Sequence, residues 1–284
     1  MADSKRVVIV GGGVIGLATA YYCLKQGHRV TVIDRKPARR DGCSFGNAGM
    51  IVPSHFIPLA APGMVQLGLK WMWNPESPFY IKPRLSWDLL SWGMKFWRAS
   101  TKEHVQRCAT VLRDLHLASR EAYAELSEGG IAPFDLTQRG LVMLCKDSHV
   151  LEEEAHVAKQ AQKLGVPAEV LSAEEVTKLD PGVTMDVAGG VYYPRDCHLS
   201  PGKLMAGLES SLVKQGCQFQ WESEVDDLPV EQGRVSAVHW KKVAGNETGR
   251  EEADEVVIAG GSWTPHIAKK VRLSLPMQAG KGHA

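Results

Sequence analysis

Gly11-Gly12-Gly13-Val14-Ile15-Gly16 sets three glycines at the GxGxxG spacing, directly after the apolar, β-branched run Val7 to Val10. Each glycine meets a steric demand of phosphate binding. Gly11 turns the chain off the strand, Gly13 lets a pyrophosphate reach the backbone, and Gly16 lets helix and strand pack closely. Val14 and Ile15 then open a helix whose N–H groups and positive dipole end face the phosphates. Asp34 stands 18 residues after Gly16, at the end of the next apolar run and followed by Arg35. Its carboxylate is placed for the hydroxyls of an adenosine ribose, and an acidic residue there disfavours a 2′-phosphate and hence NADP. The chemistry is that of an adenine dinucleotide, FAD or NAD, which this unit alone does not separate.

Two further stretches bring bare backbone near a strand end. Cys43-Ser44-Phe45-Gly46-Asn47-Ala48-Gly49 offers Ser44 and Asn47 as donors; it serves either a second cofactor contact or an ordinary turn. Val256 to Ala259 is a buried-strand pattern that breaks into Gly260-Gly261-Ser262-Trp263, again either a cofactor approach or a βα turn.

Elements of both periodicities must hold these groups. Val7 to Val10 and Val30 to Ile33 read as buried parallel strands, with a helix from Val14 to Lys25 ended at Gly27 between them. Residues 50–84 contain Pro53, Pro58, Pro62, Pro75, Pro78 and Pro83, which predicts a long ordered loop with short helical turns. Helices are expected over Leu85 to Arg98, Thr101 to Glu128, Ser148 to Leu164, a short stretch capped by Ser172 with Glu175, and Ser200-Pro201 to Gly216. Strands are expected at Leu141 to Cys145, Gly190 to Tyr193, Phe219 to Val225, Val235 to Lys241 and Glu255 to Ala259.

With 284 residues, 44% of them hydrophobic, the chain can bury a real core, and its net charge of +1 gives no handle for nucleic acid or anionic lipid. The six cysteines show no CxxC and no metal-ligand spacing, so reduced thiols and no metal are expected. No signal peptide and no run of about 18 apolar residues is visible, which points to a cytoplasmic protein.

Three segments in this order resemble the D-amino acid oxidase/dehydrogenase family of glutathione-reductase-like FAD proteins, and its bacterial dehydrogenase branch above all. The carriers are Ser44-Phe45-Gly46-Asn47-Ala48-Gly49 leading to Ala60-Ala61-Pro62-Gly63, then Gly189-Gly190-Val191-Tyr192 with His198-Leu199-Ser200-Pro201, then Ala259-Gly260-Gly261-Ser262-Trp263. The resemblance implies an α/β protein, with a Rossmann-like FAD-binding domain and an interleaved α+β substrate domain. Its segments would be 1–55 and 196–270 for FAD and 56–195 for substrate, with 271–284 beginning a further substrate-domain segment. It also implies that Ser44, Asn47, Ala48, Gly49 and Met50, with Val225, Gly260 and Trp263, join Gly11, Gly13, Val14, Ile15, Gly16, Asp34 and Arg35 around FAD. The family continues past the motif ending at Ala284, through a late Gly-rich motif and a carboxylate-binding Arg, so the sequence is expected to be truncated.

The implied reaction is oxidation of the CH–NH2 group of D-amino acids by hydride transfer to flavin, giving 2-oxo acids and ammonia, with no side-chain nucleophile. The implied partners are a small amino acid and an electron acceptor such as a membrane quinone, with at most peripheral membrane contact and no nucleic acid. A glycine or sarcosine oxidase and a non-catalytic flavin-binding fragment are the alternatives; the Ser44 to Gly49 stretch disfavours a simple NAD dehydrogenase. His55, just past that stretch, reads either as substrate-facing or as a structural histidine, the latter favoured. The five tryptophans from Trp71 to Trp97 read as core and interface aromatics in preference to a pocket lining or a membrane-facing surface.

Overall fold

A computed structural model describes residues 3–71 and 86–279. It divides into two compact units, residues 1–48, 130–134 and 200–284 in one and residues 49–129 and 135–199 in the other. The sequence reading puts the crossings at 55/56 and 195/196, whereas the chain crosses at 48/49 and 199/200 and gives the piece 130–134 to the first unit. The added piece 130–134 is held by the Ser200 N–H, which donates to the Phe134 carbonyl at 2.9 Å, and by Ile131 packing against Gly207. The stretch 271–279 also stays with the first unit.

The first unit is built on β1 (Arg6–Val10), α1 (Val14–Lys25) and β2 (Arg29–Ile33), and on the later α7 (Pro201–Lys214), β8 (Gln218–Gln220) and β14 (Glu255–Ile258). These strands form one four-stranded parallel sheet in the order β14-β1-β2-β8. Val7 to Val10, Val30, Val32 and Ile33 are buried, which is why their runs read as continuously apolar rather than alternating. The α/β, Rossmann-like class expected from the sequence is the one observed.

A second, antiparallel sheet of β9 (Ser223–Asp227), β12 (Ala237–Lys242) and β13 (Thr248–Glu252) covers the parallel one, beside the small hairpin of β10 (Val230–Glu231) and β11 (Arg234–Val235). Val225, Leu228, Val238, Trp240 and Ala253 pack there on Val8, Val10 and Ile33. A helix, α8 (Thr264–Lys270), follows β14. The single strand expected over Phe219 to Val225 is thus two strands in different sheets. Glu222, at φ +54°, turns the chain between them, and side-chain patterning carries no signal for such a turn.

The second unit contains β3 (Met50–Ile51), α2 (Met64–Trp71), α3 (Trp87–Ala99), α4 (Lys102–Glu128), β4 (Leu141–Cys145), α5 (Ser148–Lys163), β5 (Glu169–Ser172), α6 (Ala173–Leu179), β6 (Gly189–Tyr193) and β7 (Cys197–His198). An antiparallel sheet β4-β6-β5 and a two-stranded β3-β7 pair organise it around Phe56, Ala109, Ala158, Ala161, Val191 and Tyr193. The predicted capping box forms: the Glu175 N–H donates to Ser172 Oγ at 3.3 Å and the Ser172 N–H to Glu175 Oε2 at 2.8 Å.

Two expectations need correction. The proline-rich stretch contains a strand and an eight-residue helix, because Pro53, Pro58 and Pro62 all fall outside them; Pro75, Pro78 and Pro83 lie outside the described residues. Trp87 and Trp97 are not core residues. They are 86% and 60% exposed, since the covered side of α3 is occupied by Leu89, Trp92 and Phe96. Trp73 and the Trp71 side chain lie outside the described residues. Among the described residues no helix is long and apolar enough to cross a membrane.

Candidate cofactor site

The site begins where β1 ends. Gly11 sits at φ +118°, and a Cβ on it would lie 2.3 Å from the Ala259 carbonyl oxygen; its N–H donates to the Ile33 carbonyl at 2.8 Å. A Cβ on Gly16 would meet the Gly11 carbonyl oxygen at 1.8 Å, so α1 approaches β1 more closely than any side chain permits. The glycine spacing is therefore a packing requirement of β1, β14 and α1.

Gly13 caps α1 in an extended conformation without a side-chain partner of its own. Ser44 reaches in instead: its Oγ accepts the Val14 N–H at 2.9 Å, and a Cβ on Gly13 would come within 3.2 Å of it. That hydroxyl keeps its own proton to donate to an anion at the helix start. Ile15, on the first turn, is 67% exposed.

Asp34 turns toward the glycine loop. Its Oδ2 accepts the Gly12 N–H at 2.6 Å and its Oδ1 the Lys36 N–H at 2.8 Å. Each oxygen retains lone-pair capacity for a ribose hydroxyl. The Asp34 backbone is fixed as well, donating to Gln220 O and accepting from the Ser223 N–H.

Arg40, which sequence reasoning missed, locks this arrangement. Its guanidinium donates to the Gly12 carbonyl at 2.7 Å and the Ala38 carbonyl at 2.6 Å, and pairs with Glu209 of α7 at 3.0 Å, with its side chain only 4% exposed. It lies 4.3 Å from the Trp221 ring centre and 5.2 Å from that of Phe45, and Trp221 itself stacks on Phe219 at 4.9 Å. The result is a column of aromatic, cation and aromatic groups over Gly12, where a Cβ would touch Trp221 at 2.8 Å. The signal for Arg40 was the basic run Lys36, Arg39, Arg40 after the second strand. The role of Trp221 depends on the turn at Glu222 and had no signal. Lys36, Pro37, Arg39, Arg40 and Asp41 line an open concavity of about 440 Å³, so the loop beyond Asp34 presents positive charge at this end of the cradle.

The other predicted residues fall as follows. Arg35 and Trp263 are brought together, the guanidinium 5.4 Å from the ring centre. Gly260 precedes the 3-10 turn Gly261–Trp263, where a Cβ would strike Ile267 at 2.8 Å. The Val225 side chain is buried in the core, so only its backbone is available to a ligand. Asn47 uses its amide on the Cys43 carbonyl at 2.9 Å, inside its own loop. Ala48 ends the first unit, whereas Gly49, at φ +66°, and Met50 begin the second.

An ADP moiety fits these residues. The α1 N-terminus and the Ser44 hydroxyl supply donors, and the Asp34 carboxylate faces the same loop. All six cysteines are unpaired, and among the described residues no group of His, Cys, Asp and Glu side chains is arranged to hold a metal.

Comparison with known proteins bears on the rest of the cofactor. Residues 6–284 match the family model for FAD-dependent oxidoreductases of the DAO type. The chain is 33% identical to a D-amino acid dehydrogenase of Rhizobium rhizogenes and 32% identical to one of Cereibacter sphaeroides, in each case over 98% of its own length. It spans 66% and 63% of those relatives. Among solved structures, glycine oxidase from Geobacillus kaustophilus superimposes with a TM-score of 0.66 at 23% identity, covering 96% of this chain and 60% of that one. The L-amino acid deaminase from Proteus vulgaris gives 0.64 at 15% identity, covering 96% and 51%. These two likenesses are of fold.

Proposed function

Since this chain belongs to the DAO family of FAD-dependent oxidoreductases, we propose that it oxidises the CH–NH2 group of D-amino acids to 2-oxo acids and ammonia. The observation that carries the choice of substrate is the kinship, across nearly all of this chain, with relatives named D-amino acid dehydrogenase. The chain covers about two thirds of their length, so the activity is proposed for the protein to which this segment contributes.

FAD, when bound, supplies the two-electron acceptor. The chain's own residues do the holding. The backbone from Gly11 to Gly16 and the Ser44 hydroxyl take the pyrophosphate, and Asp34 takes the adenosine ribose. Arg40 holds the Gly12 carbonyl in its own fork and so fixes the loop that carries these groups. Gly260 and Trp263 on one segment of the first unit, and Asn47 and Ala48 on the other, are the proposed contacts on the flavin side.

We infer a membrane quinone in preference to oxygen as electron acceptor, and a cytoplasmic location. The exposed side of α3 supports a peripheral membrane contact: Trp87, Leu90, Met94 and Trp97 lie along it, with Lys95 and Arg98 alongside. The test is the visible spectrum of purified protein under anaerobic conditions before and after addition of D-alanine, L-alanine, glycine or sarcosine. Bleaching by the D-isomer alone supports the proposal. Bleaching by glycine or sarcosine with peroxide release in air supports an amine oxidase, and a yellow protein bleached by none of them overturns both.

A further inference from the structure

Two side chains from opposite sides of β1 meet across its end. β1 lies between β14 and β2, all three strands are parallel, and Val10 pairs with Ile258 on one side and Ile33 on the other. The exits of the outer strands stay tied to the end of β1. The Gly11 N–H donates to the Ile33 carbonyl and the Ala259 N–H to the Val10 carbonyl, both at 2.8 Å, while Asp34 accepts the Gly12 N–H. Strands that share one neighbour stand about 9–10 Å apart. Yet the Arg35 guanidinium, just past the end of β2, lies 5.4 Å from the ring centre of Trp263, which follows the end of β14. Both side chains therefore lean inward over the end of β1.

That place is where the sheet reverses its strand order. The chain runs from β1 to β2 on one side and comes back to β1 only with β14 on the other, so the crevice past Gly11 is a switch point, where an open parallel sheet takes its ligand. The proposed cofactor contacts lie on both of its banks, Asp34 for the adenosine ribose past β2 and Gly260 for the flavin side past β14. An extended dinucleotide that joins them has to pass the end of β1, and with it the contact between Arg35 and Trp263. Both residues belong to the first unit and both are exposed, Trp263 by 50%.

We propose that Arg35 and Trp263 form a clasp across this crevice, which opens to admit FAD and closes to retain it. The inference rests on the cofactor contacts proposed above. A guanidinium suits both tasks, because it lies against an aromatic ring with its face and still donates from its edge to phosphate oxygens. The clasp makes and breaks no covalent bond and moves no proton.

The strength of the contact fits a moving part. An exposed cation–π pair favours its closed form by a factor of only about two to five, which slows escape and still permits opening. Arg40 is the contrast within the same site: 4% exposed and held by Gly12, Ala38 and Glu209, it is locked in place. Trp263 instead ends a three-residue turn that starts at Gly261, where φ is +52° and a Cβ would meet nothing within 4 Å. The indole thus hangs from a loosely packed turn, opposite an exposed side chain.

The rates of FAD release and uptake by the full chain, followed by flavin fluorescence after dilution and after mixing, test the clasp without reference to activity. Trp263→Ala and Arg35→Ala are each expected to speed release about two- to fivefold, and the double variant no further, because either loss alone leaves the clasp open. Trp263→Phe keeps an aromatic face and should restore part of the retention. Uptake should be faster in Trp263→Ala, whose charge is that of the parent, since no contact has to open first. Both positions are exposed, so none of these changes opens the core. Release at the parent rate in both single variants, or effects that multiply in the double variant with uptake unchanged, overturns the clasp and leaves FAD binding standing. A parent chain that takes up no FAD brings down the cofactor contacts and the clasp together.

Discussion

Asp34 and Gly12 lie 22 residues apart, and the carboxylate Oδ2 of one accepts the backbone N–H of the other at 2.6 Å. The residue expected to bind ribose is thus also a brace for the phosphate loop, so its loss should act on the cradle twice. Asp34→Ala should weaken FAD binding about ten- to hundredfold, through a stranded Gly12 N–H worth about 1–3 kcal/mol and a lost ribose contact. Asp34→Asn should fall between, and flavin fluorescence titration measures both.

Gly16→Ala should fail to assemble the first unit, because the new Cβ would sit 1.8 Å from the Gly11 carbonyl oxygen. A loss of more than about 4 kcal/mol is expected in urea unfolding. Gly27→Ala is the control: its φ of +84° is strained for alanine, but nothing lies within 4 Å, so about 1–2 kcal/mol is expected.

Removing the Arg40 fork should cost stability and cofactor affinity together. Arg40→Ala strands the Gly12 carbonyl and Glu209 beneath the aromatic column, for about 3 kcal/mol. Arg40→Lys retains the charge but lacks the planar fork, so it should recover only part of that. A double-mutant cycle with Glu209→Gln isolates the ion pair, and a coupling near zero would assign Arg40's effect to stacking.

FAD should protect one thiol selectively. Cys43 is exposed and adjoins Ser44, whereas Cys145, Cys197 and Cys217 are buried. A maleimide reagent should therefore modify Cys43 first, and saturating FAD should slow that reaction. Equal rates with and without FAD would remove the Ser44 to Gly49 stretch from the cofactor site.

Stability should decline on the alkaline side. Burial raises the Cys217 thiol from 9.0 to about 12 and the Tyr193 phenol from 10.0 to about 12. Each group holds its proton more tightly when folded, so its contribution is complete below the unfolded value and is lost as pH rises through that window. Cys217→Ala should flatten the decline that begins near pH 9. On the acid side Asp254, lowered from 3.8 to about 2 by its hydrogen bonds and ion pair with Arg6, works in the opposite sense. Its contribution is present above the unfolded value and lost as pH falls toward 2. Urea midpoints across pH test both limbs.

What the sequence determined by itself was whatever local chemistry dictates: the glycines of the turn from β1 into α1, the buried runs of β1 and β2, the apolar run of β14, the Ser172/Glu175 cap, and the carboxylate at the end of β2. Each is a relation between neighbours or a period along one element, so it leaves a mark in residue order. Tertiary structure alone decided that Arg40 sits between Phe45 and Trp221, that the strand expected through Val225 breaks at Glu222 into two sheets, that Trp87 and Trp97 stay exposed, and that Asp196 reaches His55 through Ser54. Two of those outcomes come from pairing segments more than a hundred residues apart, Arg40 with Trp221 and, across 142 residues, Ser54 with Asp196. No periodicity along the chain encodes such a distance, because the energy that selects it arises only when both surfaces leave water together.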